Sequence, residues 1–209
     1  MNNDGGQTRN TEIKLNVKVE CLKSSGAPEY NSRLTTQTIN EMWASVNVVW
    51  KCANIRWRVM SCKQRILTPR ISAELAMLST KRELRQLFRQ ILSTEPPVIR
   101  ERIWEVCLLN HFPVSSWGVY LPETQIAFAA ELSKQNKPNA VTLAHELGHM
   151  LGLQHVEYDG NLMNPNSLRE LQDILSLPLG FENRHLNEQQ ITDARAQAML
   201  GAYSSQRRF

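Results

Sequence analysis

The sequence predicts an α+β domain, a mixed α/β chain whose strands build one twisted mixed sheet with helices packed on it. Three observations carry this. Apolar residues alternate with charged ones at 13–21 and again at 55–59, the period-two signature of half-buried strands. Between them Ile39, Met42, Trp43, Val46, Trp50 and Ala53 recur at helical spacing. Further on, residues His145 to His155 read H-E-L-G-H-M-L-G-L-Q-H, with His145 and His149 one helical turn apart.

The first strand is residues 12–22, where Ile13, Leu15, Val17, Val19 and Cys21 alternate with Glu12, Lys14, Lys18 and Glu20. Ser24, Ser25, Gly26 and Pro28 mark a loop over 24–34. Residues 36–53 form a long amphipathic helix whose tryptophans belong to the core. Ile55 to Cys62 reads as the second strand. Residues 68–105 are mostly helical: Leu84, Leu87, Phe88, Ile91 and Leu92 mark one helix, and Pro96-Pro97 interrupts before a shorter one. Val106 to Phe112 is the third strand. Trp117–Tyr120 and Gln125–Ala130 are extended, the second as an edge strand. Asn139 is placed to cap the helix of His145 and His149. After an irregular 166–186 segment, Asn187 and Gln190 look like a capping box opening a closing helix that runs to about Leu200. The expected organisation is one domain, 1–209, with an upper lobe over about 11–155 and a smaller lower lobe over about 156–209.

A chain of 209 residues can bury an ample core without staples. No run of 18 apolar residues exists, so no membrane span is expected. The start, Met1 to Thr8, lacks the basic head and apolar stretch of a secretory signal. That leaves a cytoplasmic protein, a mature form, or export by a signal-independent route. Cys21, Cys52, Cys62 and Cys107 have no C-x-x-C spacing and read as buried free thiols, with a disulfide between adjacent strands as the alternative. The net charge of +4 is uneven: residues 51–110 hold 12 Lys or Arg against 5 Asp or Glu. Arg56, Arg58, Lys63, Arg65 and Arg70 crowd one segment, and Lys81, Arg82, Arg85 and Arg89 lie on a helix. This is a solvated basic face, with an acidic partner or inhibitor at the helical insert as the functional reading. No recognition motif accompanies it, so nucleic acid is not expected as a partner.

The histidine string carries the chemistry. His145 and His149 can offer ring nitrogens to one ion, and Gly152 can end the helix left-handed and bring His155 back to it. Three neutral ligands and an open position suit catalytic zinc, whose bound water falls in pKa from about 15.7 towards 7. Glu146 can take that water's proton as general base and return it to the leaving group. Five fixed positions match by chance in roughly one chain of this length in 10^5, so the signal is strong.

H-E-x-x-H-x-x-G-x-x-H with a methionine turn is the metzincin signature. This sequence matches His145, Glu146, His149, Gly152 and His155, and supplies Met163 eight residues later. The wording resembles matrixin and reprolysin-like catalytic domains most. The resemblance implies a metzincin-like zincin fold, with the active-site helix in an upper lobe and a small, mostly irregular and helical lower lobe across a cleft. It implies one catalytic zinc on His145, His149 and His155, with Met163 as a hydrophobic base beneath it. Pro165 would begin the wall of the pocket for the residue after the scissile bond. Ile126, Ala127 and Phe128 resemble a substrate-side edge strand, on which an extended peptide pairs by β-augmentation. Phe128 stands where matrixins place a structural-zinc histidine, and Val156 follows the third histidine in place of serine or aspartate. Pro165 replaces the tyrosine of astacin-like enzymes, and Ser167 a pocket-wall tyrosine of matrixins. One zinc and no calcium site are therefore expected, with His111 and His185 as ordinary histidines. The implied function is a zinc-dependent endopeptidase on extended polypeptide. The alternative is a zinc-containing, non-catalytic module that binds a peptide or partner through the basic 51–105 region. A hydrolase of non-protein amides is a third reading.

Overall fold

The computed structural model describes residues 11–93, 103–131, 138–168 and 185–206. Its centre is a five-stranded sheet of β1 (Ile13–Lys23), β2 (Ile55–Ile66), β3 (Trp104–Leu109), β4 (Gly118–Leu121) and β5 (Ile126–Ala130), in the order β2-β1-β3-β5-β4. β1 is parallel to β2 and β3, β3 is parallel to β5, and β4 is antiparallel to β5. This is the mixed sheet the sequence predicts. Parallel neighbours need crossovers. α1 (Thr36–Trp50) supplies the first, and α2 (Pro69–Ala76) and α3 (Lys81–Ser93) lie between β2 and β3. α4 (Ala140–Met150) and α5 (Glu188–Gln206) follow.

Strand alternation sorts the interior into two cores. Leu15, Val17, Val19, Ala127 and Ala129 face one way, towards α1, α4 and α5. Cys107, Leu109, Val119, Leu121 and Phe128 face the other, where α2 and α3 bring Leu75, Leu84, Leu87, Phe88 and Ile91. Phe88 stacks flat on Phe128, ring centroids 3.7 Å apart. At the far end of the first core, Arg195 on α5 donates to Ala53 O at 2.8 Å and Thr11 O at 3.0 Å, tying the closing helix to the entry of the sheet.

Several expectations are corrected. β5 is not an edge strand: it pairs with β3 on one side and β4 on the other. The two extended segments close into a hairpin through 122–125, with Gln125 at φ 57°, so β4 takes the edge. No Asn-Gly or Asp-Gly pair announces that turn. β2 runs on to Ile66 through a bulge: Val17 pairs with Val59 but Lys18 with Ser61, leaving Met60 extra. Beyond the bulge, on the outer strand, Cys62 is exposed, as is Cys52; only Cys21 and Cys107 are the buried thiols expected, and all four are free. β3 begins two residues earlier than predicted and ends at Leu109. Arg65 does not belong to the solvated basic face. It is largely buried between Glu20 and Glu105 and also donates to Ile91 O at 3.2 Å. Asn139 occupies the N-cap of α4 without making a side-chain cap bond. The Asn187–Gln190 capping box forms, with reciprocal bonds of 2.9 and 2.8 Å. Pro96-Pro97 and the short helix expected after it lie outside the described residues.

Candidate metal centre

α4 places His145 and His149 on one face, and its C-terminus delivers the third histidine. Leu153 N–H donates to Gly148 O and Gly152 N–H to His149 O, both at 3.0 Å. This is the Schellman pattern, and Gly152 adopts φ +83°, as the sequence predicts. The chain turns back and the Nε2 atoms of His145, His149 and His155 converge at 3.0, 3.1 and 3.2 Å from one another. A tetrahedral ion with nitrogen bonds of about 2.0–2.1 Å sets its ligands roughly 3.3–3.4 Å apart. The triad therefore fits zinc with only a slight opening.

Backbone carbonyls fix two of the rings. His145 Nδ1–H donates to Leu162 O at 2.7 Å and His149 Nδ1–H to Leu153 O at 2.8 Å. A carbonyl only accepts, so both Nε2 atoms carry free lone pairs, the tautomer a metal requires. Burial lowers the pKa of His145 to about 4 and moves His149 the same way, so both rings are neutral at pH 7. Converging lone pairs repel unless a cation lies among them. A second group with ligand-like spacing, Glu20, Glu105 and Cys107, already has its cation in the guanidinium of Arg65.

Glu146 is buried where α4 meets the edge strand β4. Gly118 makes the room: a methyl there would lie 2.6 Å from Glu146 Cγ, 2.7 Å from Cδ and closer still to Oε1. Burial raises the carboxyl pKa to about 8, against the opposing pull of Arg85 and of the Tyr120 backbone N–H. The Tyr120 ring lies nearly parallel to that of His149, centroids 6.4 Å apart.

Met163 is fully buried against α4, and a methyl on Gly148 would come within 2.5 Å of its sulfur. Asn161 holds the turn: its Oδ1 accepts from Met163 N–H at 2.8 Å and its Nδ2 donates to Gln190 Oε1 at 2.9 Å. Pro165 is exposed just past the turn, whereas Ser167 is buried and accepts from Gly160 N–H at 3.1 Å. Ile126, Ala127 and Phe128 are brought near the site but have no free edge, and Ala127 and Phe128 are wholly buried. His111 packs against Tyr30, and His185 meets Gly160 O at 3.1 Å; neither joins the triad. Sequence reasoning passed over Gly118, Tyr120, Gly148 and Asn161. A glycine inside a strand, as at 118, is the one signal that points to a close approach.

No family model matches the chain, and no curated protein matches it. Solved structures do. Archaemetzincin from Methanopyrus kandleri superposes with a TM-score of 0.53 at 14% identity, over 91% of this chain and 98% of that one. Metalloproteinase-II from Bacteroides fragilis gives 0.52 at 13%, over 90% of this chain. The fold is that of zinc metallopeptidases. A structure described as a chaperone-substrate complex also matches, with a TM-score of 0.52 at 12% identity over 92% of this chain. The chain spans 54% of the Bacteroides protein and 35% of this last one. These likenesses support the zincin architecture and do not single out matrixins or reprolysins.

Proposed function

We propose that this protein is a zinc-dependent endopeptidase of metzincin type, acting on extended polypeptide. The observation that carries the reading is the convergence of three imidazoles at 3.0–3.2 Å beside a buried glutamate. His145, His149 and His155 would hold one zinc, with Met163 as the floor of the site. Zinc, when bound there, supplies a Lewis acid that polarises a carbonyl and acidifies water. Glu146 is the general base and then the acid. Burial holds this carboxyl well above its ordinary range, and a cation on the three histidines would draw it back down, which suits a group that accepts and returns a proton near neutral pH. The Tyr120 N–H and the space above Gly118 hold it in one place. The cleft lies between the 11–155 and 156–209 lobes, with Pro165 at the mouth of the pocket beyond the scissile bond. Substrate pairs with the outer edge of β4, which no other strand covers among the described residues, the role the sequence assigned to Ile126–Phe128 on β5.

Incubation of zinc-loaded protein with an unfolded polypeptide mixture tests this, with Glu146→Ala alongside. About one zinc per chain is expected, with cleavage by the parent alone and its loss on chelation. Equal cleavage by Glu146→Ala, or folded protein that takes up no zinc, overturns the assignment.

A further inference from the structure

The edge of β4 has two sides. Ala130 N–H donates to Trp117 O at 2.8 Å and Gln125 N–H to Leu121 O at 2.9 Å. By the alternation of an antiparallel ladder, residues 117, 119 and 121 turn their backbone groups to β5, and Gly118 and Tyr120 turn theirs outward, where Ser116 Oγ donates to Gly118 O at 3.0 Å and the Tyr120 N–H meets Glu146, so that a polypeptide would pair with Gly118 N–H and Tyr120 O. A polypeptide laid along that edge sends alternate side chains to opposite faces of the sheet. One set faces the histidines. The other set comes down beside α3.

α3 is fixed against this rim. Leu84, Leu87, Phe88 and Ile91 bury its inner face on Val119, Leu121 and Phe128. Arg89 is ion-paired to Glu123, two residues past the end of β4. One turn before Arg89, on the same side of the helix, stands Arg85. It is exposed. Arg65, Arg70 and Arg89 all have carboxylate partners, whereas Arg85 has no ion pair among the described residues. α3 packs directly on β4, so Arg85 stands along the same rim as the Arg89–Glu123 pair. Arg89 already neutralises Glu123, which leaves Arg85 as the next cation of α3 along the edge of β4, the strand against which α4 packs Glu146. Arg82, three residues earlier, continues the stripe.

We propose that Arg85 is a specificity-determining residue: it recognises an acidic side chain of a polypeptide lying along β4, close to the bond to be cut. The inference rests on the endopeptidase reading for its substrate and deepens it, naming acidic extended polypeptide as the preferred class. A guanidinium offers a planar fork of donors to a carboxylate, and a rim position keeps it hydrated until the substrate arrives.

The test uses peptides identical except for Glu, Gln or Lys at positions flanking the scissile bond. The parent and Arg85→Glu are assayed for cleavage. A zinc-loaded Glu146→Gln protein, with and without Arg85→Glu, is assayed for binding by fluorescence anisotropy. The parent is expected to cleave the Glu peptide about tenfold better in kcat/KM than the Gln peptide, and binding should follow the same order. The preference should shrink in about 1 M salt, where screening acts over roughly 3 Å. In Arg85→Glu it should turn towards the Lys peptide, with the melting temperature unchanged because the side chain is exposed. Cleavage without an acidic preference, or a preference that survives Arg85→Glu, overturns the role of Arg85 and leaves the endopeptidase standing. Charge-selective binding without cleavage of any peptide by the parent upholds Arg85 and overturns the enzyme. Neither binding nor cleavage overturns both.

Discussion

Replacing Gly118 with alanine would separate the placing of the proposed base, Glu146, from the proposed metal-holding role of the histidines. The new methyl would sit 2.6 Å from Glu146 Cγ and 2.7 Å from Cδ, well inside the roughly 3.5–4.0 Å of ordinary carbon contact. The near atoms include Cγ, so a swing of the carboxylate alone does not relieve the clash; the whole side chain must move by about 1 Å. A displacement of that size costs about 100-fold in rate for a catalytic group. Stability changes less. Gly118 has no positive φ, so alanine gains about 0.4–1 kcal/mol by restricting the unfolded chain, against about 1–3 kcal/mol for overpacking. The three histidines are untouched. We therefore expect kcat/KM on an unfolded substrate to fall about 100-fold, zinc to remain near one per chain, and melting to shift by only a few degrees. Glu146→Asp, one methylene shorter, should relieve the same clash. The double variant should then lose less than the product of the two single losses. Activity within threefold of the parent, with zinc unchanged, would falsify the placement of Glu146 against β4.

Glu146 also contributes to the pH response of the metal-free protein, with a sign opposite to that of His145, whose lowered pKa favours the folded state as pH rises. The Glu146 pKa rises from the ordinary carboxyl value of 4.5 to about 8 on burial, so between these values the folded state holds a proton that the unfolded state has released. Stability contributed by the protonated form is present below about pH 4.5 and is lost as pH rises towards 8. Glu146→Gln should flatten that fall and be more stable by roughly 4 kcal/mol at pH 8, read from denaturation of chelated protein; parallel pH profiles would refute this. Asn161→Ala strands the Met163 N–H and removes a partner of Gln190, which should cost about 2 kcal/mol and roughly 4–8 °C in melting temperature, with weaker zinc retention. A shift under 1 °C would show that the turn is held by other contacts. Cys62 is exposed, yet burial of its thiol and the neighbouring Cys21, 3.7 Å away, push its pKa up to about 12. Alkylation at pH 8, followed by mass spectrometry, should be at least tenfold slower than for an unperturbed thiol. Equal rates would contradict the Cys21–Cys62 arrangement.

What the sequence discloses and what it hides divide by range. His145, His149, Gly152 and His155 lie within eleven residues, and helix geometry plus one left-handed glycine brings their nitrogens together. Ile13 to Cys21 alternates without interruption, so β1 is legible from its own residues. The Asn187–Gln190 box is equally local. The edge of the sheet is different: Trp117–Tyr120 and Gln125–Ala130 both read as extended, and only their pairing decides which lies outside. Arg65 reads as one basic residue among many, because Glu20 and Glu105 are 45 and 40 positions away. Gly118 and Glu146 are 28 residues apart, and nothing local to either records that the one leaves space for the other. Long-range pairing also exposes Cys62, through a bulge that a smooth alternation conceals.

One short turn joins the metal centre to the end of the chain. Leu162 O orients His145, Met163 packs under Gly148, and Asn161 bonds Gln190 at the head of α5. α5 in turn is pinned by Arg195 to Ala53 and Thr11 at the entry of β1. A ring that must keep its Nε2 lone pair aimed at a common point needs a rigid acceptor on its other nitrogen. Leu162 is rigid only while its neighbours on both sides are held. The C-terminal helix is therefore part of the site without touching it: it holds Asn161, Asn161 holds the turn, and the turn sets the tautomer of His145. Docking of α5 and binding of a metal would order the same element from opposite ends, so loss of either would weaken the other.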